Sequence, residues 1–356
     1  MVIVMNSPIV ITDSPKLTEY EFFRREFQLE LTFLDPFCFK LEDFESSRHI
    51  CIASTRPEKW LEILKLPQKS RVIFFLLGNE TYEPATYNLL NNLESVKHVF
   101  IYNPPTRVKS INHWYSLAGD LIDQFPIIRF ADLIGILRDN RTSRHLKSKF
   151  LLSDLSYSWT PLPQGYSNSF VYGLRDLKLL PSGEISPLTD PVYLSHLQNK
   201  FQKKRKYVFV GQRTNRRRNQ IVEIVGRRED SICITKDIGF GGTIYDGDSR
   251  YANLVLSSWF NIIPPGYFNN SNHRYTESCI AGAIPVILHH NSIDHSDNRN
   301  WTGGLSILQA HSFRRLTNYL DRLDEKELEE LALLIREHDF NSILDTKKLL
   351  KEIQSS

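Results

Sequence analysis

Residues 258–288 read SWFNIIPPGYFNNSNHRYTESCIAGAIPVIL, and this stretch decides the fold. It opens with an apolar run at 259–263, rich in aromatic and branched residues, which is typical of a buried strand and is stopped by a Pro-Pro-Gly turn. The polar cluster at 269–272 suits a turn and the N-cap of a helix. Gly282 is placed to end that helix, and 284–288 supply another strand. The stretch therefore predicts strand, loop, helix and strand.

Two charged residues of the predicted helix have chemistry suited to a nucleotide. A helix N-terminus presents unpaired N–H groups and a partial positive charge to a phosphate, and Arg274 adds a fixed cation there. Glu277, one turn further along, can accept both hydroxyls of a ribose, as acidic residues do in nucleotide-binding folds. The alternative is a structural helix on which Arg274 and Glu277 pair with each other on a solvated face. Their spacing alone does not decide between the two.

This stretch resembles the C-terminal signature of exostosin-type glycosyltransferases, S-x-x-R-x-x-E-A-x-x-x-G-C-I-P-V. The matching positions are Gly266, Ser271, Arg274, Glu277, Ala281, Gly282, Ile284, Pro285 and Val286. Ser278 stands where the family usually has Ala, and Ala283 where it usually has Cys, and neither change touches the presumed donor contacts. The resemblance continues in the YVFVG run at 207–211 and in Asn300-Trp301, where the family tends to show Asp-Trp. It covers the C-terminal part of the chain only.

The resemblance implies an α/β protein of the GT-B type, in which two Rossmann-like domains face each other across a cleft. It also implies transfer of a sugar from a nucleotide-diphosphate donor, with UDP as the expected nucleotide, to a glycan or glycolipid acceptor. Because residues 181–187 are turn-rich, we place an acceptor domain at 1–190 and a nucleotide-sugar domain at 191–356. The implied donor contacts are Gly266, Ser271, Asn272, Arg274, Glu277 and, in the basic loop after the YVFVG strand, Arg213 and Arg218.

Composition sets the class of protein. At 356 residues, with 41% hydrophobic and 24% charged residues, the chain is typical of a soluble globular protein with two domains. A formal net charge of +3 does not indicate a polyanion binder. The basic runs at 199–206 and 213–218 are short and lack aromatic interleaving of the RNA-binding kind, so we predict no nucleic-acid partner.

The cysteines and the N-terminus bear on the compartment. Cys38, Cys51, Cys233 and Cys279 are scattered and lie mostly in apolar runs, as expected of small core residues in a reducing compartment. We find no apolar run of membrane-spanning length and no basic leader region. We therefore expect a cytoplasmic protein, with peripheral association with the inner face of the membrane left open. The oligomeric state is not predicted.

The first half of the chain alternates short apolar strands with helical stretches, which predicts a mainly parallel sheet covered on both faces. Strands are expected at 9–12, 29–34, 49–54, 72–77 and 98–102. Ligands of open α/β sheets collect at the carboxyl ends of the strands. The residues at these ends are Asp13, Asp35, Thr55, Glu80 and Asn103.

Glu80 is our first candidate for the catalytic base, and Asp35 is the second. Glu80 follows the most apolar of the predicted strands, and Gly78 permits a close backbone approach beside it. An inverting transfer needs a carboxylate or histidine within hydrogen-bonding reach of the acceptor hydroxyl. The alternative is a loop carboxylate exposed to water.

Residues 154–175 combine aromatic residues, prolines and glycines without helical or strand periodicity, which predicts a loop. Tyr157, Trp159 and Tyr166 are candidates for stacking on sugar rings of the acceptor, whose C–H faces are apolar. The alternative is that these rings pin the loop to the core. In the C-terminal tail, helices are predicted at 312–323, 324–337 and near 346–353.

We predict neither a metal site nor a cofactor, the nucleotide sugar being a substrate. Asp246-Gly247-Asp248 has the D-x-D pattern of another glycosyltransferase fold, but it lies in a glycine-rich loop without a strong strand ahead of it. The eleven histidines form no metal-ligand spacing. The sequence thus favours an inverting, metal-independent glycosyltransferase. The alternative is a non-catalytic sugar-nucleotide-binding protein with the same fold.

Overall fold

A computed structural model gives the fold of the chain. It describes residues 8–13, 15, 18–28, 31–33, 49–60, 71–77, 84–101, 158–162, 165–180, 190, 192, 194, 197, 200–212, 216–236, 249–264, 273–288, 309–310 and 313–355. These residues fall into two compact units. Unit 1 takes its described residues from Met1–Pro105, Asp139–Pro163 and Ile343–Ser356, and unit 2 takes its described residues from Gln164–Ser342.

Unit 1 is built on a six-stranded sheet in the order β2-β1-β3-β4-β5-β6. Its strands are β1 (Ile9–Thr12), β2 (Thr32–Phe33), β3 (His49–Ser54), β4 (Arg71–Leu76), β5 (Val96–Ile101) and β6 (Ser158–Pro161). Every neighbouring pair in this sheet is parallel. The helices of this unit are α1 (Thr18–Phe27), a 3-10 helix (Pro57–Trp60) and α2 (Pro84–Asn91).

The sheet of unit 1 is covered on both faces, as a parallel sheet requires. Ile9 and Ile11 of β1 pack with Trp60 and other residues in one core cluster. Val10, which points to the opposite face, packs with Phe23 in a second cluster. The near-continuous apolar strands of the first half are explained by this two-sided burial.

Unit 2 carries a five-stranded sheet in the order β11-β10-β9-β7-β8, again with only parallel pairs. Its strands are β7 (Arg205–Gln212), β8 (Ile232–Lys236), β9 (Ser258–Ile263), β10 (Ile284–Leu288) and β11 (Gln309–Ala310). The helices are α3 (Asn168–Asp176), α4 (Arg216–Val225), α5 (Ser249–Leu256), α6 (Arg274–Ile280), α7 (Phe313–Leu320) and α8 (Glu325–Ser355), whose last residues belong to unit 1.

These observations confirm the coarse fold prediction, since both units are α/β with parallel, Rossmann-like sheets. The strands predicted at 9–12, 49–54 and 284–288 match β1, β3 and β10 residue for residue, because each is a mostly apolar run. The strand predicted at 29–34 is shorter, and only Thr32–Phe33 pairs with β1 among the residues described there.

The segment predicted as a loop at 154–175 differs from the prediction, because it contains β6 and most of α3. The boundary predicted at residue 190 falls inside unit 2, since α3 packs against α5 of that unit. The two tail helices predicted after residue 323 form one continuous helix, α8, which has neither glycine nor proline in its 31 residues. A capping box starts α8, in which Asp324 and Glu327 each accept the other's backbone N–H at 2.9 Å.

Two further findings concern the cysteines and the lengths of the apolar helices. Cys51 and Cys279 are buried in the cores and Cys233 is partly buried, whereas Cys38 lies outside the described residues. In the part of the chain that the structure describes, no helix is both long and apolar enough to cross a membrane.

Candidate functional site

The strand order of unit 2 reverses between β7 and β9. From β7 the chain continues to β8 on one side, whereas from β9 it continues to β10 and β11 on the other. The helices follow this division, with α4 packing against α7 and α5 packing against α6. In doubly wound sheets a crevice opens at such a switch point, outside the carboxyl ends of the strands, and ligands bind there. The helices that start at this edge after β7 and β9 are α4 and α6.

Two arginines meet at this switch point. Arg218 lies in the first turn of α4, and Arg274 is the first residue of α6. Both side chains are partly buried. Burial, and then the neighbouring charge of Arg274, lower the pKa of Arg218 to about 10. Since this pKa is still well above neutrality, Arg218 is charged at pH 7 beside the positive charge of Arg274.

The proximity of two like charges has a chemical consequence. Each guanidinium disfavours the other's charge, and partial burial weakens the screening by water. An anion at the switch point offsets this repulsion, and a guanidinium is suited to phosphate because its planar fork donates two parallel hydrogen bonds. The N–H groups of the first turn of α4, a ten-residue helix, point to the same edge of the sheet. The arrangement therefore suits a phosphate-bearing ligand.

Glu277 is in an environment that neither sequence interpretation anticipated. It is only 1% exposed, and all residues of α6 from Tyr275 onward are buried, so this helix has no solvated face there. Its Oε1 accepts hydrogen bonds from the backbone N–H of Ser167 at 2.9 Å and from the Ser167 hydroxyl at 2.5 Å. Its Oε2 accepts one from the hydroxyl of Tyr251 at 2.6 Å. The carboxylate thus joins three elements of unit 2.

Each donor to Glu277 is itself fixed. Ser167 is the N-cap of α3 and accepts the backbone N–H of Phe170 on its hydroxyl at 3.2 Å. Tyr251 lies on α5, and burial followed by the charge of Glu277 raises its pKa well above the usual value. Tyr251 therefore stays protonated and donates. The sequence did not identify Ser167 or Tyr251 as donors to Glu277. A local signal existed for Ser167 only, because a serine before a helix is a common N-cap.

The buried polar network continues under Arg274. The side-chain amide of Asn261, on β9, donates to the Ser278 hydroxyl at 2.9 Å, and Ser278 donates to the backbone carbonyl of Arg274. Asn261 also hydrogen-bonds to Tyr251. A buried amide needs a polar partner, and the Ser278 hydroxyl supplies one for Asn261. The first turn of α6, which carries Arg274, is thereby held to the sheet.

The C-terminal end of α6 is fixed as firmly. Gly282 has a φ of 63°, and the N–H groups of Gly282 and Ala283 bond to the carbonyls of Cys279 and Ser278 at 3.1 and 2.8 Å, which is a Schellman motif. The prediction that Gly282 ends this helix is confirmed. A non-glycine residue at this φ is strained, since its Cβ crowds the backbone.

Lys203, from the predicted basic run, has a structural role. Its ammonium donates to the carbonyls of Leu256 and Ala281, both at 3.0 Å, which are the last residue of α5 and the C-cap of α6. A cation is favourable at helix C-termini. Burial lowers the pKa of Lys203 to about 7. Arg205 of the same run donates to the Ser257 hydroxyl at 2.7 Å, so these two basic side chains serve the fold.

The candidate acceptor aromatics lie in different surroundings. Trp159 is on β6, is partly buried and packs against the core of unit 1. Tyr166 is 0% exposed and has no free ring face in this structure, which agrees with the alternative that such rings pin the segment to the core. Tyr157 lies outside the described residues.

Other predicted site residues also lie outside the described part of the chain. They are the candidate bases Glu80 and Asp35, the donor contacts Arg213, Gly266, Ser271 and Asn272, and the D-x-D residues Asp246 and Asp248. Among the residues that are described, no group of three or more His, Cys, Asp or Glu side chains is placed to hold a metal ion. Of the predicted donor contacts, Arg218, Arg274 and Glu277 are described, and all three belong to unit 2.

Comparison with known proteins adds no relative. No protein-family model matches the chain, and no curated protein matches its sequence. The function proposed below therefore rests on the residues of the site, together with the resemblance of their motif.

Proposed function

We propose that the chain is a glycosyltransferase that moves a sugar from a nucleotide-diphosphate donor, a UDP-sugar, to a glycan or glycolipid acceptor. The observation that carries this proposal is the pair of guanidinium groups at the β7/β9 switch point, Arg218 and Arg274. The proposal includes a GT-B-type pairing of the two Rossmann-like units, with the nucleotide on unit 2. The exostosin-like motif around Arg274 supports the choice of a sugar nucleotide over other phosphate compounds.

The chemistry that the arginines supply is stabilisation of the leaving group. As the bond between the anomeric carbon and the diphosphate breaks, negative charge grows on the diphosphate oxygens. Two cations that are already in place stabilise that charge without a metal ion and without reorganisation during the reaction. The acceptor oxygen attacks the opposite face of the sugar, which inverts the anomeric centre, and its proton passes to a base on unit 1.

The surroundings of Glu277 support a positioning role in addition to the predicted ribose contact. Because its carboxylate accepts hydrogen bonds from Ser167 and Tyr251, it ties α6 to α3 and α5. Arg274 begins the same helix, so the network sets the direction from which its guanidinium approaches the crevice. A ribose contact requires that the nucleotide hydroxyls take the place of a donor that now binds the carboxylate.

A binding experiment tests the proposal directly. Isothermal titration of the full chain with UDP, GDP and CMP is expected to give binding, with UDP the tightest, and thermal shift should show the same order because a ligand that binds the folded state raises its melting temperature. Arg274→Ala and Arg218→Ala should weaken that binding. Arg227→Ala, an exposed arginine after α4, is the matched control and should not.

Two results would change the conclusion. If none of the three nucleotides binds, the proposed function is wrong. Binding of UDP and UDP-sugars with no release of UDP in the presence of saccharides favours the alternative, a sugar-nucleotide-binding protein without catalytic activity.

A further inference from the structure

The sheet of unit 2 ends on one side at β8. In the order β11-β10-β9-β7-β8, this strand (Ile232–Lys236) has β7 as its one neighbour among the described strands. The residues of β8 from Ile232 to Thr235 are all partly exposed, whereas the inner strand β10 is buried along its whole length. The outer edge of β8 therefore remains accessible.

The hydrogen bonds of β7 show which of its residues face β8. The backbone N–H of Arg205 donates towards β9, to the carbonyl of Ser257 at 3.2 Å. The backbone N–H of Lys206 donates towards β8, to the carbonyl of Asp230 at 2.7 Å. Because the backbone groups of successive strand residues point to opposite neighbours, Val208 faces β8 as Lys206 does.

The register of the pair then shows which groups of β8 point outward. Val208 is level with Ile232, and in a parallel pair such a residue bonds to the residues on either side of its partner. The backbone groups of Cys233 are therefore used in the ladder with β7. Those of Ile232 and Ile234 point away from it, towards the open edge.

The sequence of β8 favours pairing at this edge. Proteins usually protect an open edge with proline, a bulge or charged residues. The strand reads ICITK, with no proline and with its charged residue in the last position, and it keeps one register with β7 from Ile232 to Lys236. A mostly apolar open edge of this kind adds a further strand readily.

The edge is complementary to itself in the antiparallel direction. A twofold axis at Cys233 places Ile232 opposite Ile234 of a second copy, so the outward N–H and C=O groups of both strands exchange hydrogen bonds. The same axis places Asp230 opposite Lys236 of the second copy, and opposite charges at facing positions stabilise a strand pair. The side chain of Asp230 keeps 48% of its surface exposed and can contact a partner.

We propose that two copies of this chain associate through β8, which joins their unit 2 sheets into one continuous sheet about a twofold axis at Cys233. The partner is a second copy because backbone groups and charges match under a single axis, as in the isologous contact of a symmetric dimer. A strand of this length buries less surface than an obligate interface does, so the dimer is reversible and depends on concentration. The inference is independent of the proposed glycosyltransferase function.

The mass of the full chain in solution, measured against concentration, tests the inference. Sedimentation equilibrium is expected to show a species of 41.5 kDa that passes to twice this mass as the concentration rises. Ile234→Pro removes an outward N–H from each copy and leaves the ladder with β7 intact, so the Kd of the dimer should rise about tenfold or more. Ile234→Val keeps that N–H and a similar side chain, and as the matched control it should dimerise like the parent.

Cys233 reports the position of the axis. Facing residues that exchange no hydrogen bonds in an antiparallel pair have Cα atoms about 4.5 Å apart, which is within the range for a disulfide. Mild oxidation with copper phenanthroline should therefore link two copies through Cys233. Cys233→Ser should abolish this link and keep the dimer in sedimentation.

Three results would overturn the inference. One is a monomer at every concentration up to the millimolar range, and another is a dimer that Ile234→Pro leaves unchanged. The third is a dimer that is not linked through Cys233, because its axis would lie elsewhere. If Ile234→Pro does not fold, Lys236→Glu decides, since it places like charges opposite each other: a several-fold rise in Kd that shrinks at high salt supports the edge, and an unchanged Kd overturns it.

Discussion

Glu277 accepts two hydrogen bonds from a single residue, Ser167, which lies 110 positions earlier in the chain and caps α3. The backbone N–H and the hydroxyl of Ser167 both donate to Oε1. Since the hydroxyl also accepts the N–H of Phe170, the carboxylate on α6 sets where the α3 helix begins. The buried carboxylate of Glu277 is thus bound by the N-cap residue of α3 in addition to Tyr251.

The first prediction concerns the stability that this carboxylate provides. Glu277→Gln removes the charge that strengthens these bonds and leaves an amide in a site built for an acceptor, so we expect the free energy of unfolding to fall by about 1 to 3 kcal/mol. Ser167→Ala, which loses only the hydroxyl, should cost about 1 kcal/mol. Urea denaturation measures both, and equal stability of Glu277→Gln and the parent would contradict the positioning role.

On the same variant, a narrower gap between the affinities for UDP and 2′-deoxy-UDP would reveal a ribose contact.

The second prediction separates binding from stability at the arginine pair. Arg274→Ala should weaken UDP binding by about 1.5 to 3 kcal/mol, the range for hydrogen bonds to charged groups. The nucleotide-free variant should keep its fold, and removal of one of two like charges relieves repulsion at Arg218. Arg218→Ala should behave in the same way. Calorimetric titration and thermal unfolding give the two numbers independently, and a variant that loses both properties together would indicate damage to the fold.

The third prediction is a pH dependence of unit 1. His98 on β5 is 3% exposed and hydrogen-bonds through Nε2 to the Thr160 hydroxyl at 3.0 Å, and burial lowers its pKa to about 4. In the unfolded chain the imidazole has its ordinary pKa of about 6.5, so below this pH the unfolded chain takes up a proton that the folded chain does not. Stability is therefore complete above pH 6.5 and falls as the pH drops towards 4, by about 2 to 3 kcal/mol from this residue.

His98→Gln tests that dependence, since it keeps a hydrogen-bonding group for Thr160 but does not titrate. Urea unfolding at several pH values between 4 and 7 should show a shallower slope for the variant than for the parent. If the free energies of unfolding of the variant and the parent change equally with pH, the acid sensitivity belongs to other residues.

The fourth prediction is that turnover does not need a metal ion. If the arginine pair stabilises the leaving diphosphate, an excess of EDTA should leave the rate of UDP release unchanged. Asp246→Asn and Asp248→Asn should likewise keep the parental rate. Loss of activity with EDTA and with either substitution would show that the D-x-D sequence binds a required cation.

Much of the sheet structure could be predicted from the sequence because parallel strands buried on both faces are mostly apolar runs. The run at 284–288 defines β10 completely, and Pro285 near its start did not disturb the strand. The apolar runs of the first half likewise located β1 and β3. What such runs do not give is the order of the strands, which depends on contacts between distant segments.

The site was harder to predict because it, too, depends on contacts between distant segments of the chain. The spacing of Arg274 and Glu277 shows that they share a side of a helix, but it does not show whether that side faces water or the core. The answer depends on Ser167 and Tyr251, which lie on separate helical segments. The helix at 168–176 was missed because its stabilising partner is far along the chain and outside any local window.

The long helix α8 has a consequence for the order in which the protein folds during synthesis. Its early residues Leu328 and Ile335 pack in the core of unit 2, whereas Leu350 packs against Val10 and Phe27 in the core of unit 1. Unit 2 has all its residues once Ser342 has left the ribosome, but the N-terminal strands wait for the last turns of α8. Unit 1 thus completes its core after unit 2, which reverses the usual N-to-C order of domain folding and leaves the apolar residues around Phe27 in need of protection until the last turns of α8 have been made.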